Sequence, residues 1–123
     1  MNNKLEPNMY VRTKRGTFDR FMTSKKIESL TWYTFEDRGS ITNPENYIIN
    51  ASHNIIDLIE VGDYVNGSKV IEIEKDYKFI DNEIRDILWL DNKRNNAVWK
   101  ETIKSIVTKE QFSSMEYRLG DDK

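Results

Sequence analysis

The chain contains no cysteine, a single histidine (His53) and no apolar run of membrane-spanning length. The first absence excludes disulfides and thiolate metal sites and suits a reducing compartment. The second removes most histidine-based catalysis and most metal clusters. The third, with an N-terminal stretch 1–7 that lacks a signal-peptide apolar core, leads us to expect a soluble intracellular protein with no membrane partner. A strong net charge is missing too: 19 basic residues stand against 21 acidic ones, for −2. A duplex-DNA binder needs a basic face to displace counterions, and a DNA mimic would be strongly acidic, so no duplex nucleic acid is expected as partner.

Catalytic motifs are equally scarce. There is no G-x-x-x-x-G-K-[ST] loop for phosphates, no G-x-G-x-x-G opening a helix and no H-E-x-x-H. A Ser-His-Asp triad would have to use His53, which sits in Ala51-Ser52-His53-Asn54 and reads more simply as a surface or capping residue. The acids offer many carboxylate pairs, and nothing singles one out. Glu72 and Glu74 alternate on a strand and read as a solvated face. We expect no enzyme and no cofactor.

What is present is β chemistry and aromatic surface. At 123 residues the chain has the length of one domain, 1–123, with 1–7 and 120–123 expected as loose termini. Its three Trp, six Tyr and five Phe exceed the needs of a small core, so some are free to form a binding surface. The clearest local signal is Asn66-Gly67 between apolar runs, because both central residues of a type I′ turn need positive φ.

Alternation predicts strands at Met9–Thr13, Thr17–Met22, Ser29–Phe35, Tyr47–Ile49, the two arms around Asn66-Gly67, Tyr77–Ile80, Asp86–Leu90 and Trp99–Val107. In the third of these, Leu30, Trp32 and Thr34 share one face and Thr31, Tyr33 and Phe35 the other, so each face carries an aromatic. Ser24–Ser29, Asp37–Asn46 and Asp91–Asn96 read as loops. Ser52 or Asn54 caps one helical turn that points Ile55, Leu58 and Ile59 inward, and Ile71 and Ile73 also face the core. Thr108-Lys109-Glu110-Gln111 is a capping box, with Val107 and Phe112 as its hydrophobic staple. It predicts a helix from Lys109 to about Tyr117 that buries Phe112 and Met115. The fold class is therefore β-rich (α+β): a small antiparallel sheet or partly closed barrel of seven or eight short strands with a short C-terminal helix. Unpaired strand edges in so small a chain predict at least a homodimer.

A nucleotide-like ligand needs flat apolar surfaces for a base, Arg or Lys for phosphate, and amides for ring edges. The run Arg85–Asn96 holds all three, and the first hairpin adds Tyr10 with Arg12 and Phe18 with Arg20 on shared faces. The candidate ligand-binding residues are Arg12, Phe18, Arg20, Arg85, Trp89 and Asn92. The blander reading puts Phe18 and Trp89 in the core and the Asn/Lys/Arg run in a polar turn. The basic pairs Lys14-Arg15, Lys25-Lys26 and Lys93-Arg94 read first as solvated loops.

Three pieces, Met9–Lys14, Asn54–Ile73 and Ile103–Phe112, resemble small phage and prophage proteins of low-GC Gram-positive bacteria. Among these the chain looks most like the Thoeris anti-defence sponge family. The resemblance implies a non-enzymatic oligomer in the host cytoplasm that traps a cyclised ADP-ribose signal, a cyclic nucleotide, without cleaving it. The competing expectation is a protein-binding inhibitor of a host defence complex, of the anti-CRISPR kind, in which exposed aromatics and arginines are interface hot spots.

Overall fold

The computed structural model describes residues 4–92 and 97–115. It is β-rich with a short C-terminal helix, the class that the alternating pattern predicts. Among the described residues, ten strands form two antiparallel five-stranded sheets, and neither closes into a barrel. The chain divides into two compact units, Met1–Ile59 and Glu60–Lys123, with one sheet in each. No helix among the described residues is long and apolar enough to cross a membrane.

The first unit holds β1 (Tyr10–Thr13), β2 (Phe18–Ile27), β3 (Leu30–Phe35), β4 (Gly39–Ile41) and β5 (Ile48–Ser52), in the order β4-β3-β2-β1-β5. Of the expected loop Ser24–Ser29 only Glu28 and Ser29 form a turn: β2 runs on to Ile27 and pairs Lys25 with Trp32, Lys26 with Thr31 and Ile27 with Leu30. Both faces of this extension meet water, so side-chain alternation carries no trace of it, while the backbone ladder needs none. Asp37–Asn46 likewise contains an edge strand, β4, and a 3-10 turn at Pro44–Asn46. One face of the sheet buries Met9, Val11, Phe21, Phe35, Ile48 and Ala51, and Leu5 packs against them although it falls in the stretch expected to be loose. Phe35 meets Phe21 and Tyr47 edge-on, at 5.6 and 5.2 Å between ring centres. The expected helical turn is a 3-10 turn, Ile55–Leu58, capped by the Asn54 side chain, which accepts from the Ile56 N–H at 3.3 Å. Its tighter winding turns Ile56, rather than Ile55, inward with Leu58 and Ile59.

The second unit holds β6 (Tyr64–Val65), β7 (Ser68–Lys78), β8 (Ile84–Leu90), β9 (Ala97–Trp99) and β10 (Ile106–Val107), in the order β10-β6-β7-β8-β9, followed by α1 (Lys109–Met115). Asn66 and Gly67 adopt φ of 53° and 84°, which closes the β6–β7 hairpin as expected. Two register shifts alter β7. The first, between Val70 and Glu72, buries Val70 and leaves Ile71 more than half exposed, against expectation. The second, with Asp76 at φ 56°, interrupts the alternation without ending the strand, so Tyr77 and Lys78 are the last residues of β7 and not the start of a new strand, and Phe79 and Ile80 lie beyond it. Trp99–Val107 is also not one strand. Thr102 Oγ1 accepts from the Trp99 N–H at 2.9 Å and winds Lys100–Thr102 into a 3-10 turn between β9 and β10. The capping box forms, with the Thr108 N–H on Gln111 Oε1 (3.1 Å) and the Gln111 N–H on Thr108 Oγ1 (3.2 Å). The fully buried Asp63 adds to it, accepting from the Lys109 N–H at 2.9 Å and the Glu60 N–H at 2.7 Å. Phe112 is not buried: it stays 44% exposed and stacks on Tyr64 at 4.3 Å. Lys93–Asn96, Tyr117 and the 120–123 tail lie outside the described residues, as does the Met115 side chain.

Candidate functional site

The first unit carries a groove of about 960 Å³, open to solvent, between the β1–β2 turn and the β3–β4 edge. Its first wall is the turn Thr13–Thr17. The Thr13 N–H donates to the Thr17 carbonyl (2.8 Å), the Gly16 N–H to the Thr13 carbonyl (3.0 Å), and the two threonine hydroxyls lie 2.6 Å apart. Gly16 at φ 85° lets the chain reverse in so few residues. The Lys14 N–H donates to the Tyr47 carbonyl at 3.0 Å, which ties the turn to the chain entering β5. The Lys14 and Arg15 side chains are left exposed, lining the groove.

The opposite wall is organised from below by Asp19. Its carboxylate, only 5% exposed, accepts from the N–H groups of Arg20 (2.7 Å), Asp37 (2.9 Å) and Arg38 (3.1 Å) and from the Tyr47 hydroxyl (2.7 Å). Burial pushes this carboxyl up; the four hydrogen bonds together outweigh it and hold the group below its ordinary 3.8. Burial and the bond to Asp19 push the Tyr47 phenol well above its usual range. One carboxylate thus fixes β2, the β3–β4 turn and the Tyr47 ring together. Trp32 of β3 supplies a half-buried indole, and Asn43 and Asn46 supply amides from the segment that sequence alone reads as loop.

The arrangement brings three cations (Lys14, Arg15 and Arg38), one carboxylate (Asp37), a flat indole and two amides around one space. That is the chemistry of an anionic ligand with an aromatic ring. None of these residues is among the six candidates from sequence. Lys14-Arg15 is legible there as a basic pair, and nothing in the sequence shows that it faces Trp32 and Arg38.

The six sequence candidates fall into two sets, one in each unit. In the first unit the register pairs Tyr10 with Arg20 and Arg12 with Phe18, so the expected shared faces meet as two cation–aromatic pairs, at 5.2 and 5.9 Å. Arg12 is fully buried, its Nη1 donating to the Leu58 carbonyl at 2.9 Å, and presents no surface to a ligand. Phe18 and Arg20 are half-buried and border a smaller hollow of about 220 Å³ with Ile55.

In the second unit Arg85 is occupied from three sides. It lies 4.4 Å over Phe79 and 5.7 Å from Trp99, and its Nη2 is 3.1 Å from Asp81 Oδ2. Trp89 is half-buried, donates from Nε1 to Glu74 Oε1 at 3.2 Å and meets Tyr77 edge-on, so Glu74 is more than a solvated charge. Asn92 donates to Ser68 Oγ at 3.3 Å and borders a second open groove, of about 990 Å³, with Leu90 and Trp99. His53 is exposed and bonds Glu6 at 2.8 Å. Among the described residues no cluster of histidine and carboxylate side chains is placed to hold a metal ion. No family model, no curated protein and no solved structure matches the chain.

Proposed function

We propose that this protein binds and sequesters a cyclic nucleotide signal of the cyclised ADP-ribose type in the groove of its first unit, and does so without cleaving it. In this reading it is a phage-encoded anti-defence protein of the host cytoplasm. The observation that carries the proposal is the convergence of Lys14, Arg15 and Arg38 beside the Trp32 indole on one open groove. Phosphate oxygens sit on the cations, the base lies against the indole, and Asn43 and Asn46 meet ring edges or ribose hydroxyls. Binding rather than turnover is supported by the carboxylates. Asp37 is the one that lines the groove among the described residues, and Asp19 beneath it has its oxygens committed to four donors. A hydrolase needs a positioned acid and base, and a saturated carboxylate serves as neither.

The test is a thermal-shift panel of ADP-ribose, its cyclised isomers, NAD and cyclic dinucleotides, followed by denaturation and chromatography of the released ligand. At least one compound raises the melting temperature and returns intact. Arg38→Ala and Lys14→Ala each weaken its binding about tenfold to a hundredfold, the range of a charge-assisted phosphate contact. No shift with any compound overturns the proposal, and so does a ligand recovered in cleaved form.

A further inference from the structure

The one Asn-Gly pair of the chain, Asn66-Gly67, carries a reaction of its own. The Gly67 nitrogen, once it gives up its proton, attacks the Asn66 side-chain carbon Cγ. The Cγ–Nδ2 bond breaks, Nδ2 takes up a proton and leaves as ammonia, and a five-membered succinimide remains. Water then opens the ring to aspartate or, as the major product, to isoaspartate, whose main chain runs through the side-chain carbons. Both residues are exposed to water, and Gly67 has no side chain to hinder the attack and open space around its Cα.

The fold withholds this reaction in two ways. The ring closes only where Cβ eclipses the Gly67 nitrogen about the Cα–C bond, whereas the first central residue of a type I′ turn holds the two nearly opposite. Asn66, at φ 53° with Gly67 at φ 84°, is such a residue. The side chain is also engaged elsewhere. Nδ2, the leaving group, donates to the Thr102 carbonyl at 3.0 Å, and Oδ1 accepts from the N–H groups of Lys104 at 2.7 Å and Ser105 at 3.2 Å. The Thr102 carbonyl is itself placed by the Thr102 hydroxyl, which accepts from the Trp99 N–H at 2.9 Å and donates to the Trp99 carbonyl at 2.8 Å. The turn must unwind and these bonds must part before Cγ reaches the Gly67 nitrogen, so only the locally opened chain reacts.

We propose that Asn66 is a latent deamidation site: its clasp on residues 102–105 keeps it unreacted in the folded chain, and conversion to isoaspartate unfastens that segment irreversibly. The isoaspartyl link adds a methylene to the main chain, which a two-residue turn in fixed register does not accommodate. It also replaces the carboxamide by a carboxylate, which has no donor for the Thr102 carbonyl. Asn66, Thr102, Lys104 and Ser105 all border the open groove beside Asn92, so the same event loosens one wall of that groove.

Peptide mapping by mass spectrometry tests this on the full chain, incubated in mildly alkaline buffer with and without guanidinium chloride. The native chain converts at Asn66 at least about tenfold more slowly than the unfolded one, as for a site that reacts only when locally open. Thr102→Val removes the hydroxyl that sets the Thr102 carbonyl and raises the native rate about threefold to tenfold, the worth of one hydrogen bond. Thr102→Ser restores the slow rate, and neither variant changes the unfolded rate. In the isolated isoaspartyl chain the Lys104 and Ser105 amides lose about tenfold of their protection from hydrogen exchange, while the paired amides of β7 and β8 keep theirs. Equal native and unfolded rates overturn the proposal, and so does an isoaspartyl chain fully protected at residues 104 and 105. A Thr102→Val chain with native circular dichroism and the wild-type rate overturns it as well; should that variant not fold, the other two measurements decide.

Discussion

Asp19 aims its carboxylate at four donors from three parts of the chain while remaining 5% exposed. Removing its charge leaves those donors facing a neutral amide. Asp19→Asn therefore destabilises the protein at neutral pH by about 2 kcal/mol, within the range for hydrogen bonds to a charged group. The pH dependence follows from its depressed folded-state pKa. The contribution is fully present above the ordinary 3.8 and is lost as pH falls through the lower folded value, where native and unfolded chains are both protonated. Urea denaturation of both proteins from neutral pH down to strong acid checks this: the gap between them closes on the acid side. A gap of constant size removes the charge from the account. Asp19 was not legible as an organiser, because three of its four partners lie 18 to 28 residues away. Arg12 shows the same limit: its aromatic neighbours follow from alternation, but its enclosure depends on Leu58, 46 residues on.

Elements marked by local chemistry were legible, and those marked only by pairing were not. The Asn66-Gly67 hairpin and the Thr108–Gln111 capping box declare themselves within four residues, and both form. The outer half of β2, the edge strand β4 and the break between β9 and β10 have no such mark, since ladder bonds and a threonine back-bond decide them. Asn66 also does more than turn the chain. Its Oδ1 accepts from the Lys104 N–H (2.7 Å) and the Ser105 N–H (3.2 Å), and its Nδ2 donates to the Thr102 carbonyl (3.0 Å). It thereby clasps the segment leading into β10. Asn66→Gly keeps the positive φ that the turn requires and removes the clasp. We expect it to cost about 1 to 2 kcal/mol in chemical denaturation, a value reduced from three full hydrogen bonds because the site meets water. No loss would show that turn propensity alone accounts for the asparagine.

At the scale of the whole molecule, the two units offer a way to locate the ligand. Every residue lining the proposed groove lies between Thr13 and Tyr47, inside the first unit. A ligand stabilises whatever must unfold to release it, by about 2.7 kcal/mol at a free concentration a hundred times its dissociation constant. Amides whose hydrogen bonds build the groove walls, those of Thr13, Lys14, Asp37 and Arg38, therefore gain about a hundredfold protection from hydrogen exchange. The aromatic ladder and the groove beside Asn92 belong to the second unit, and the ligand does not touch them in this account. Exchange measured with and without the best compound from the thermal-shift panel separates the two grooves. Protection centred on the first unit places the ligand between Lys14, Arg38 and Trp32. Protection confined to residues 66–105 moves it to the Asn92 groove and takes the three cations out of recognition, since none of them lies in that stretch.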